Sequence, residues 1–409
     1  MGESILTRVA AAVGTPVYVY DAAVVRRRYQ ELDQAFAGIP HRIFYSVKAN
    51  SNLAVLNLLR GLGAGADIVS GGELARAMRA GFAGRDVVFS GVGKTTVELA
   101  AALEAGVGLI NVESAWELEG LRELCRAQGV RARIGMRVNP DVTADTHPYT
   151  QTAGKGMKFG VPLDEAASLA RCAAEAPELD LVSLGMHIGS QIVDAAHFRA
   201  GAVAIGRLAG DVRVLGGDGL EAIDVGGGLG IRYTDERGLT ADEFAEAVRP
   251  VARETGLAVW LEPGRYITGP AGVLLTRCVY RKHAGGKNFV IVDAGMSDLM
   301  RPSLYGACHE IVVIDEAANA PEGPVDVVGP LCETGDFLGL DRRLPGAGPG
   351  ALLAVLGAGA YGFSMSSTYN SRPRAAEVLV DGDRWAVVRR RETVDDLMRG
   401  ETAEPAWTA

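Results

Sequence analysis

A repeated alternation of short apolar segments and helix-like segments covers roughly residues 40–265 and limits the folds open to this chain. Each apolar segment is rich in Val and Ile, and a glycine or polar turn separates it from an Ala/Leu/Arg segment with helical spacing. Alternating strands and helices form right-handed βαβ units, which build a parallel sheet. Eight such units predict a closed (β/α)8 barrel, with an open doubly wound sheet as the alternative. The eight predicted strands are 42–49, 66–70, 87–91, 107–113, 131–139, 181–189, 222–228 and 258–264.

Polar residues, or in one case a run of glycines, recur where these predicted strands end. In (β/α)8 barrels, the carboxyl ends of the strands surround the active site. A single polar residue at such a place carries little information, but here most of the strands have one. The residues are Lys48, Asp67, Ser70, Asn111, Glu113, Arg137, Asn139, His187, the glycines 226–228 and Glu262. The sequence therefore favours the barrel and predicts a functional mouth.

The pattern changes after about residue 270, where short β-like segments are separated by Gly and Pro. This change predicts a second, all-β domain. The predicted strands are 273–280, 288–293, 310–314, 325–328, 351–355 and 376–380, and we expect the early strand 17–20 to join their sheet. The predicted domains are therefore an N-terminal arm and strand (1–24), the barrel (25–270) and the C-terminal β domain (271–409).

Charge and cysteine content limit the partners and the compartment. The 409 residues include 41 Lys or Arg and 50 Asp or Glu, a net charge of −9, which disfavours nucleic-acid binding but leaves room for a local anion pocket. The 5 cysteines show no C-x-x-C spacing, so we expect neither a metal site nor a disulfide framework. With no signal peptide and no apolar run of membrane-spanning length, we expect a cytoplasmic protein without a membrane partner.

Lys48 lies at the inner end of an apolar strand, where a charged side chain is costly unless it is used or paired. A desolvated lysine amine can act as a Schiff-base nucleophile. The alternative is a structural ion pair, with Asp67 as the partner, and spacing alone does not decide between the two.

Two glycine motifs are candidates for anion binding, and we reject the second as a nucleotide-binding loop. The segment from Asp224 to Gly230, DVGGGLG, is expected to end the seventh strand, where barrels often hold phosphate, although a tight turn is the alternative. The segment GVGKT, from Gly91 to Thr95, resembles a phosphate-binding P-loop, but Val88 stands where that motif needs its first glycine.

Three further residues allow a functional or a structural interpretation. His187 in HIGSQ is either a packed core residue or part of the mouth. Cys332 in CETGD is either inert packing or, beside two carboxylates that disfavour the thiolate, a proton donor. Tyr361 in AGAYG is either a turn residue or part of a site.

Taken together, the motifs resemble the fold-type III pyridoxal-phosphate decarboxylases. The similar segments occur in order along nearly the whole chain. They are YSVKANSNL (45–53), DIVSGGEL (67–74), RVNPDV (137–142), HIGSQ (187–191), DVGGGLG (224–230), LEPGRYI (261–267), DAGMSDLMRPSLYGA (293–307), GPLCETGDF (329–337) and GAYGFSMSSTYNSRPR (359–374). Residues 147–159 depart from the family's pattern in a loop that borders the substrate.

The resemblance implies pyridoxal 5'-phosphate as cofactor and a role for each matching residue. Lys48, beside Asp67, would hold the cofactor covalently, His187 would stack on its ring, and Glu262 would pair with the ring nitrogen. Cys332 would supply a proton after carbon dioxide leaves. The implied phosphate-binding residues are Ser190, Gly227, Gly228, Gly264, Arg265 and Tyr361. The implied substrate-binding residues are Arg265, Arg301, Tyr305, Glu333 and Tyr361.

The resemblance also implies a reaction and an assembly. Two arginines suit a substrate with a second carboxylate. The expected reaction is therefore decarboxylation of meso-2,6-diaminopimelate to L-lysine and carbon dioxide, the last step of lysine biosynthesis. Cys332 and Glu333 would come from the neighbouring subunit of a homodimer. The alternatives are decarboxylation of ornithine, arginine, lysine or a carboxylated polyamine and, more remotely, a non-catalytic cofactor-binding protein.

Overall fold

The computed structural model describes residues 2–142, 147, 149, 151–154, 156–315, 317 and 323–408. The chain forms two compact units, one of Ala22–Pro270 and one of Met1–Asp21 with Ala271–Ala409. In the loop 147–159, Pro148, Thr150 and Lys155 lie outside the described residues. None of the described helices is both long and apolar enough to cross a membrane.

The strands and helices are numbered in chain order. The strands are β1 (Val17–Asp21), β2 (His41–Ser46), β3 (Gly65–Ile68), β4 (Val87–Phe89), β5 (Leu109–Val112), β6 (Ala132–Asn139), β7 (Val161–Pro162), β8 (Leu179–Gly185), β9 (Ala222–Asp224), β10 (Ala258–Leu261), β11 (Gly272–Ala284), β12 (Lys287–Val292), β13 (Ile311–Asp315), β14 (Pro324–Val328), β15 (Phe337–Arg343), β16 (Leu352–Val355), β17 (Ala376–Asp381) and β18 (Arg384–Arg389). The helices are α1 (Glu3–Val13), α2 (Ala22–Ala35), α3 (Leu53–Gly61), α4 (Gly71–Arg79), α5 (Thr96–Glu104), α6 (Ala115–Gln128), α7 (Leu163–Ala174), α8 (Ala195–Val214), α9 (Ala241–Thr255), α10 (Arg265–Thr268), α11 (Arg301–Tyr305) and α12 (Val394–Leu397).

The first unit is a closed parallel barrel, which confirms the predicted fold class. Its strands pair in the order β5-β4-β3-β2-β10-β9-β8-β6, and a further β5–β6 pairing closes the ring. The short strand β7 pairs with β6 and lies outside the closed ring. All eight predicted strands are present, so the open-sheet alternative is excluded.

Short polar side chains start most of the barrel helices. Each capping side chain accepts a hydrogen bond from a backbone N–H in the first turn, a group that lacks a partner inside the helix. The capping residues are Asn52, Ser70, Thr95, Ser114, Asp194 and Thr240. Because each helix begins immediately after the loop at a strand's carboxyl end, these caps also fix the loops that carry the site.

Several strands end earlier than predicted. The strand β2 stops at Ser46, and Val47–Ala49 forms a single 3-10 turn that carries Lys48. The strand β8 stops at Gly185, before His187, and β9 stops at Asp224, before the glycines. The apolar pattern continues past each strand because the first loop residues at the mouth are also buried, so hydrophobicity alone does not mark where pairing ends.

The second unit is built on a mixed sheet. Strand β1 lies between β11, with which it pairs antiparallel, and β17, with which it pairs parallel. Helix α1, absent from the prediction, packs Ile5, Leu6 and Val9 into the core of this unit. Strands β15 and β18 were also not predicted, because charged residues or glycine interrupt their apolar pattern.

Candidate active site

Lys48 places its amine at the barrel mouth. Its Nζ lies 3.3 Å from Oδ2 of Asp67, whose side chain is fully buried, while the lysine side chain is 34% exposed. Lys48 lines a cavity of about 400 Å³. The structure is consistent with both interpretations of Lys48, because the lysine pairs with Asp67 and also lines the cavity.

The hydroxyl of Ser46 contacts the Asp67 carboxylate of this ion pair. Ser46 was not predicted from the sequence. Its hydroxyl lies 2.8 Å from Oδ2 of Asp67 and 2.9 Å from the carbonyl oxygen of Glu262. The available signal was its position two residues before Lys48 in a barrel strand, where alternate side chains point inward.

Three buried carboxyl groups, on Asp67, Asp224 and Glu262, interact with one another, and those of Asp224 and Glu262 belong to residues that line the cavity. Burial, and then the charges of Asp224 and Asp67, hold the pKa of Glu262 well above its usual range. Burial likewise raises the pKa of Asp224. Because desolvated carboxylates in a group repel one another, this part of the cavity favours a cationic ligand group.

His187 presents a neutral imidazole to the same cavity. Burial, together with the positive charges of Lys48 and Arg137, holds the pKa of His187 well below its usual range. The backbone N–H of Gly227 donates to Nδ1 of His187 at 3.3 Å, which leaves the ring proton on Nε2. A neutral ring fixed in this way is suited to stacking on a flat ligand.

The glycines in the loop that follows β9 are required by close packing. A Cβ at Gly227 would lie 2.0 Å from the carbonyl oxygen of Glu262, and one at Gly228 would lie 2.2 Å from that of Gly189. Gly228 also has a φ of 100°, which strains any other residue. Similarly, a Cβ at Gly264 would lie 2.8 Å from that of Ala49.

Arg265 joins the loops around these glycines. It is buried, its Nη2 donates to Oγ of Ser190 at 2.9 Å, and its Nη1 donates to the hydroxyl of Tyr233. The structure thus brings Ser190, Gly227, Gly228, Gly264 and Arg265 to one side of the barrel mouth. Tyr233 was not predicted, because it follows the glycine motif in an irregular loop.

The opposite wall of the cavity carries Asn111 and Arg137, which the sequence marked only as strand ends, and Ser90, which it did not mark. Ser90 Oγ donates to Oε1 of Glu262 at 3.3 Å and accepts from Nδ2 of Asn111 at 3.0 Å. Arg137 forms an ion pair of 3.1 Å with Glu113. The contact with Ser90 positions Glu262. Arg137 adds a positive charge to the lining of the cavity.

The remaining predicted residues lie in the second unit. Helix α11 carries Arg301 and Tyr305 four residues apart, so both occupy one face. Ser303 of this helix donates its hydroxyl hydrogen to the carbonyl oxygen of Gly335 at 2.5 Å, which fastens the helix to the loop of Cys332 and Glu333. Tyr361 lies in this unit with a left-handed φ of 55°.

The loop of Cys332 and Glu333 is fixed through its backbone while both side chains are exposed. The buried carboxylate of Asp336 accepts from the N–H groups of Leu331 and Met296, each at 2.6 Å. The N–H of Cys332 donates to Oδ1 of Asn370 at 3.0 Å. Asp336 and Asn370 were not predicted as site residues, although both stand in the quoted motifs.

Comparison with known proteins identifies the family of the chain. Residues 22–269 match the family model described as pyridoxal-dependent decarboxylase, pyridoxal binding domain. The chain therefore belongs to the pyridoxal-dependent decarboxylases, and the barrel is the cofactor-binding domain of that class. The predicted cofactor class and enzyme class are confirmed.

Within this class, similarity to diaminopimelate decarboxylases covers nearly the whole chain. The chain is 50% identical over 402 residues to the enzyme of Pseudomonas aeruginosa, covering 98% of this chain and 96% of that one. It is 44% identical to the enzyme of Aquifex aeolicus, covering 96% and 93%. The crystal structure of the Helicobacter pylori enzyme complexed with L-lysine superposes with a TM-score of 0.92 at 40% identity, covering 96% and 98%. The protein is a member of the diaminopimelate decarboxylase family.

Proposed function

We propose that this enzyme decarboxylates meso-2,6-diaminopimelate to L-lysine and carbon dioxide, and that the barrel mouth is its cofactor site. One observation carries the proposal: the amine of Lys48, the neutral ring of His187 and the buried carboxyl group of Glu262 line a single cavity. When bound, pyridoxal phosphate supplies an aldehyde that condenses with amines and a ring that accepts the electron pair left by carbon dioxide.

The residues of the cavity fit this cofactor. Burial and the neighbouring carboxyl groups raise the pKa of Glu262, so a protonated ring nitrogen beside it would offset their repulsion and favour the ionised carboxylate. The close-packed Gly227 and Gly228, with Ser190, Gly264 and Arg265 beside them, form a concave surface for the phosphate. Tyr361 is proposed as a further phosphate contact.

The chain's own groups then have separate tasks. Asp67 holds the ammonium of Lys48 in place until the amine is needed, and His187 covers one face of the ring and keeps water from it. We assign binding of the far end of the substrate to Arg301, Tyr305 and Glu333, and further substrate contacts to Arg265 and Tyr361. Cys332 donates the proton of its thiol to the carbon that has lost its carboxylate.

We propose that two copies of the chain share their sites. Cys332 and Glu333 are exposed on a loop whose backbone is fixed from two sides, as expected of residues presented to another subunit. A homodimer in which each loop completes the partner's site accounts for this exposure. We place the enzyme in the cytoplasm, because its five cysteines are all free thiols.

Release of carbon dioxide from meso-diaminopimelate, measured beside lysine, ornithine and arginine, tests the substrate. We expect diaminopimelate to be turned over at least about 100-fold faster than the others, because a site built to pair a second carboxylate rejects substrates without one. Comparable rates with ornithine or lysine would support the alternative basic amino-acid decarboxylase. No release from any of the four would support the non-catalytic alternative.

A further inference from the structure

Arg301 is an arginine buried in the second unit, with only 5% of its surface exposed. Its Nη1 lies 2.7 Å from Nε2 of His309, a residue with no exposed surface at all. On the other side of the imidazole, Nδ1 of His309 lies 2.8 Å from the carbonyl oxygen of Leu356. The histidine thus bridges the guanidinium and the backbone of the sheet.

These two contacts determine the protonation state of the histidine. A carbonyl oxygen can only accept, so Nδ1 of His309 carries a proton and donates it to Leu356. A guanidinium can only donate, so Nε2 must be the bare nitrogen that accepts from Arg301. A doubly protonated ring would place two N–H groups against each other at 2.7 Å. His309 is therefore neutral, with its single proton on Nδ1.

The sheet holds this histidine rigidly. The N–H of Leu356 donates to the carbonyl oxygen of Glu310 at 2.8 Å. This hydrogen bond lies next to the Ile311–Val355 pair at the end of the β13–β16 pairing. The backbone on either side of the imidazole therefore belongs to one paired segment, while Arg301 begins the short helix α11. The five N–H donors of a guanidinium form a rigid planar fork, so fixing one of its nitrogens fixes the direction of the others.

We propose that His309 is a positioning residue that aims the guanidinium of Arg301 at the carboxylate that diaminopimelate keeps when it becomes L-lysine. This inference rests on the proposed function, because it assigns that carboxylate to Arg301. It adds that binding of the far end of the substrate depends on the acceptor nitrogen of a neutral imidazole.

The test measures binding of two ligands to the cofactor-loaded enzyme by calorimetry. L-Lysine carries the retained carboxylate, whereas 1,5-diaminopentane is the same chain without it. The matched variants are His309→Asn, whose amide can replace Nδ1 as donor to Leu356, and His309→Gln, whose amide oxygen can replace Nε2 as acceptor. We expect His309→Asn to weaken L-lysine binding by about tenfold or more, and to change diaminopentane binding less than about twofold.

His309→Gln should keep L-lysine affinity within about threefold of the original, because an acceptor still faces Arg301. With diaminopimelate as substrate, His309→Asn should raise KM much more than it lowers kcat. Adding His309→Asn to Arg301→Gln should cost little further L-lysine affinity, because the histidine acts through an arginine that is already removed.

The outcomes that overturn the inference are distinct from those that overturn the function. If His309→Asn weakens both ligands equally, or adds its full loss to that of Arg301→Gln, the histidine is only structural and the inference is wrong. If Arg301→Gln weakens L-lysine binding while both histidine variants leave it unchanged, the inference again fails and the function stands. If Arg301→Gln leaves L-lysine binding unchanged, the assignment of Arg301 in the proposed function is at fault.

Discussion

Lys48 shows how one residue can satisfy two opposing requirements. The buried carboxylate of Asp67 needs a counter-charge, and the ammonium of Lys48 supplies it, while the half-buried lysine side chain also lines the cavity. We predict that Lys48→Ala abolishes the visible absorbance of the lysine-bound cofactor, because no amine remains to bind it covalently. The absorption spectrum after dialysis checks this, with the exposed Lys282→Ala as control. Colour that persists in Lys48→Ala and survives dialysis would mean that another lysine holds the cofactor.

The proton-donor role of Cys332 gives a second prediction. Because Cys332 belongs to the unit that does not contain the cofactor cavity, Cys332→Ala should keep the cofactor spectrum unchanged. Turnover of diaminopimelate should fall by roughly 10²–10⁴-fold, the usual contribution of a positioned proton donor. Cys172→Ala, which removes another exposed thiol, serves as the control. Unchanged turnover in Cys332→Ala would exclude the role.

Asp298 provides a pH prediction in the second unit. Burial raises its pKa to about 6. An unfolded aspartate titrates near 3.9, so between about pH 4 and pH 6 the folded chain binds a proton that the unfolded chain releases. This contribution to the free energy of unfolding is present below pH 4 and is lost as the pH rises through 6, by about 3 kcal/mol in all.

The variant Asp298→Asn keeps an oxygen to accept from the N–H of Gly295 but cannot ionise. Relative to the original protein, it should therefore gain stability as the pH rises from 4 to 7. Thermal unfolding of both proteins across this range measures the difference. A difference that does not change with pH would show that Asp298 titrates normally.

At the scale of elements, the segment resembling a P-loop joins two strands of the barrel. The Lys94 side chain is 1% exposed and lies 2.7 Å from Oε1 of Glu117 in an ion pair. It also donates to the carbonyl oxygens of Gly91, after β4, and Asn111, in β5. Gly91 and Asn111 line the cavity, so this lysine fixes part of the cavity wall.

Removing one partner of this pair should destabilise the barrel more than removing both. Lys94→Met leaves the Glu117 carboxylate buried without its counter-charge and should cost roughly 3 kcal/mol, while Lys94→Met with Glu117→Gln should recover much of it. Urea unfolding measures both, with the exposed Lys282→Met as control. Equal losses in the single and the double variant would show that the pair contributes nothing as a pair.

The barrel strands and their supporting contacts differ in how far they could be predicted from the sequence. The eight barrel strands were predictable because strands buried on both faces are continuous apolar runs between turn residues. The residues that orient the site were not. Ser46 contacts Glu262, Asn370 contacts Cys332, and Leu356 holds the ring of His309 that contacts Arg301. The contacts of Ser46, Asn370 and Leu356 each join positions far apart in the chain. A short-range pattern carries no information about such partners, so motifs led to the proposed reacting residues but not to the residues that support them.

At the scale of the whole molecule, the predicted site residues are divided between the two units of the chain. Lys48, His187 and Glu262 belong to the barrel unit, and Cys332, Glu333 and Arg301 to the other. In the proposed homodimer, one subunit contributes the barrel and its partner contributes the exposed Cys332 loop. A chain that lacks Lys48 can therefore still supply Cys332 to its partner.

Mixing inactive Lys48→Ala and Cys332→Ala chains should consequently restore activity. In each mixed dimer of a two-fold assembly, one site carries both defects and the other carries none. Random exchange makes half of the dimers mixed, so recovery should approach about one quarter of the original activity. Exchange is confirmed beforehand by separating differently tagged subunits. If exchange is complete and no activity returns, each chain must supply Cys332 to its own barrel, and the exposure of the loop needs another explanation.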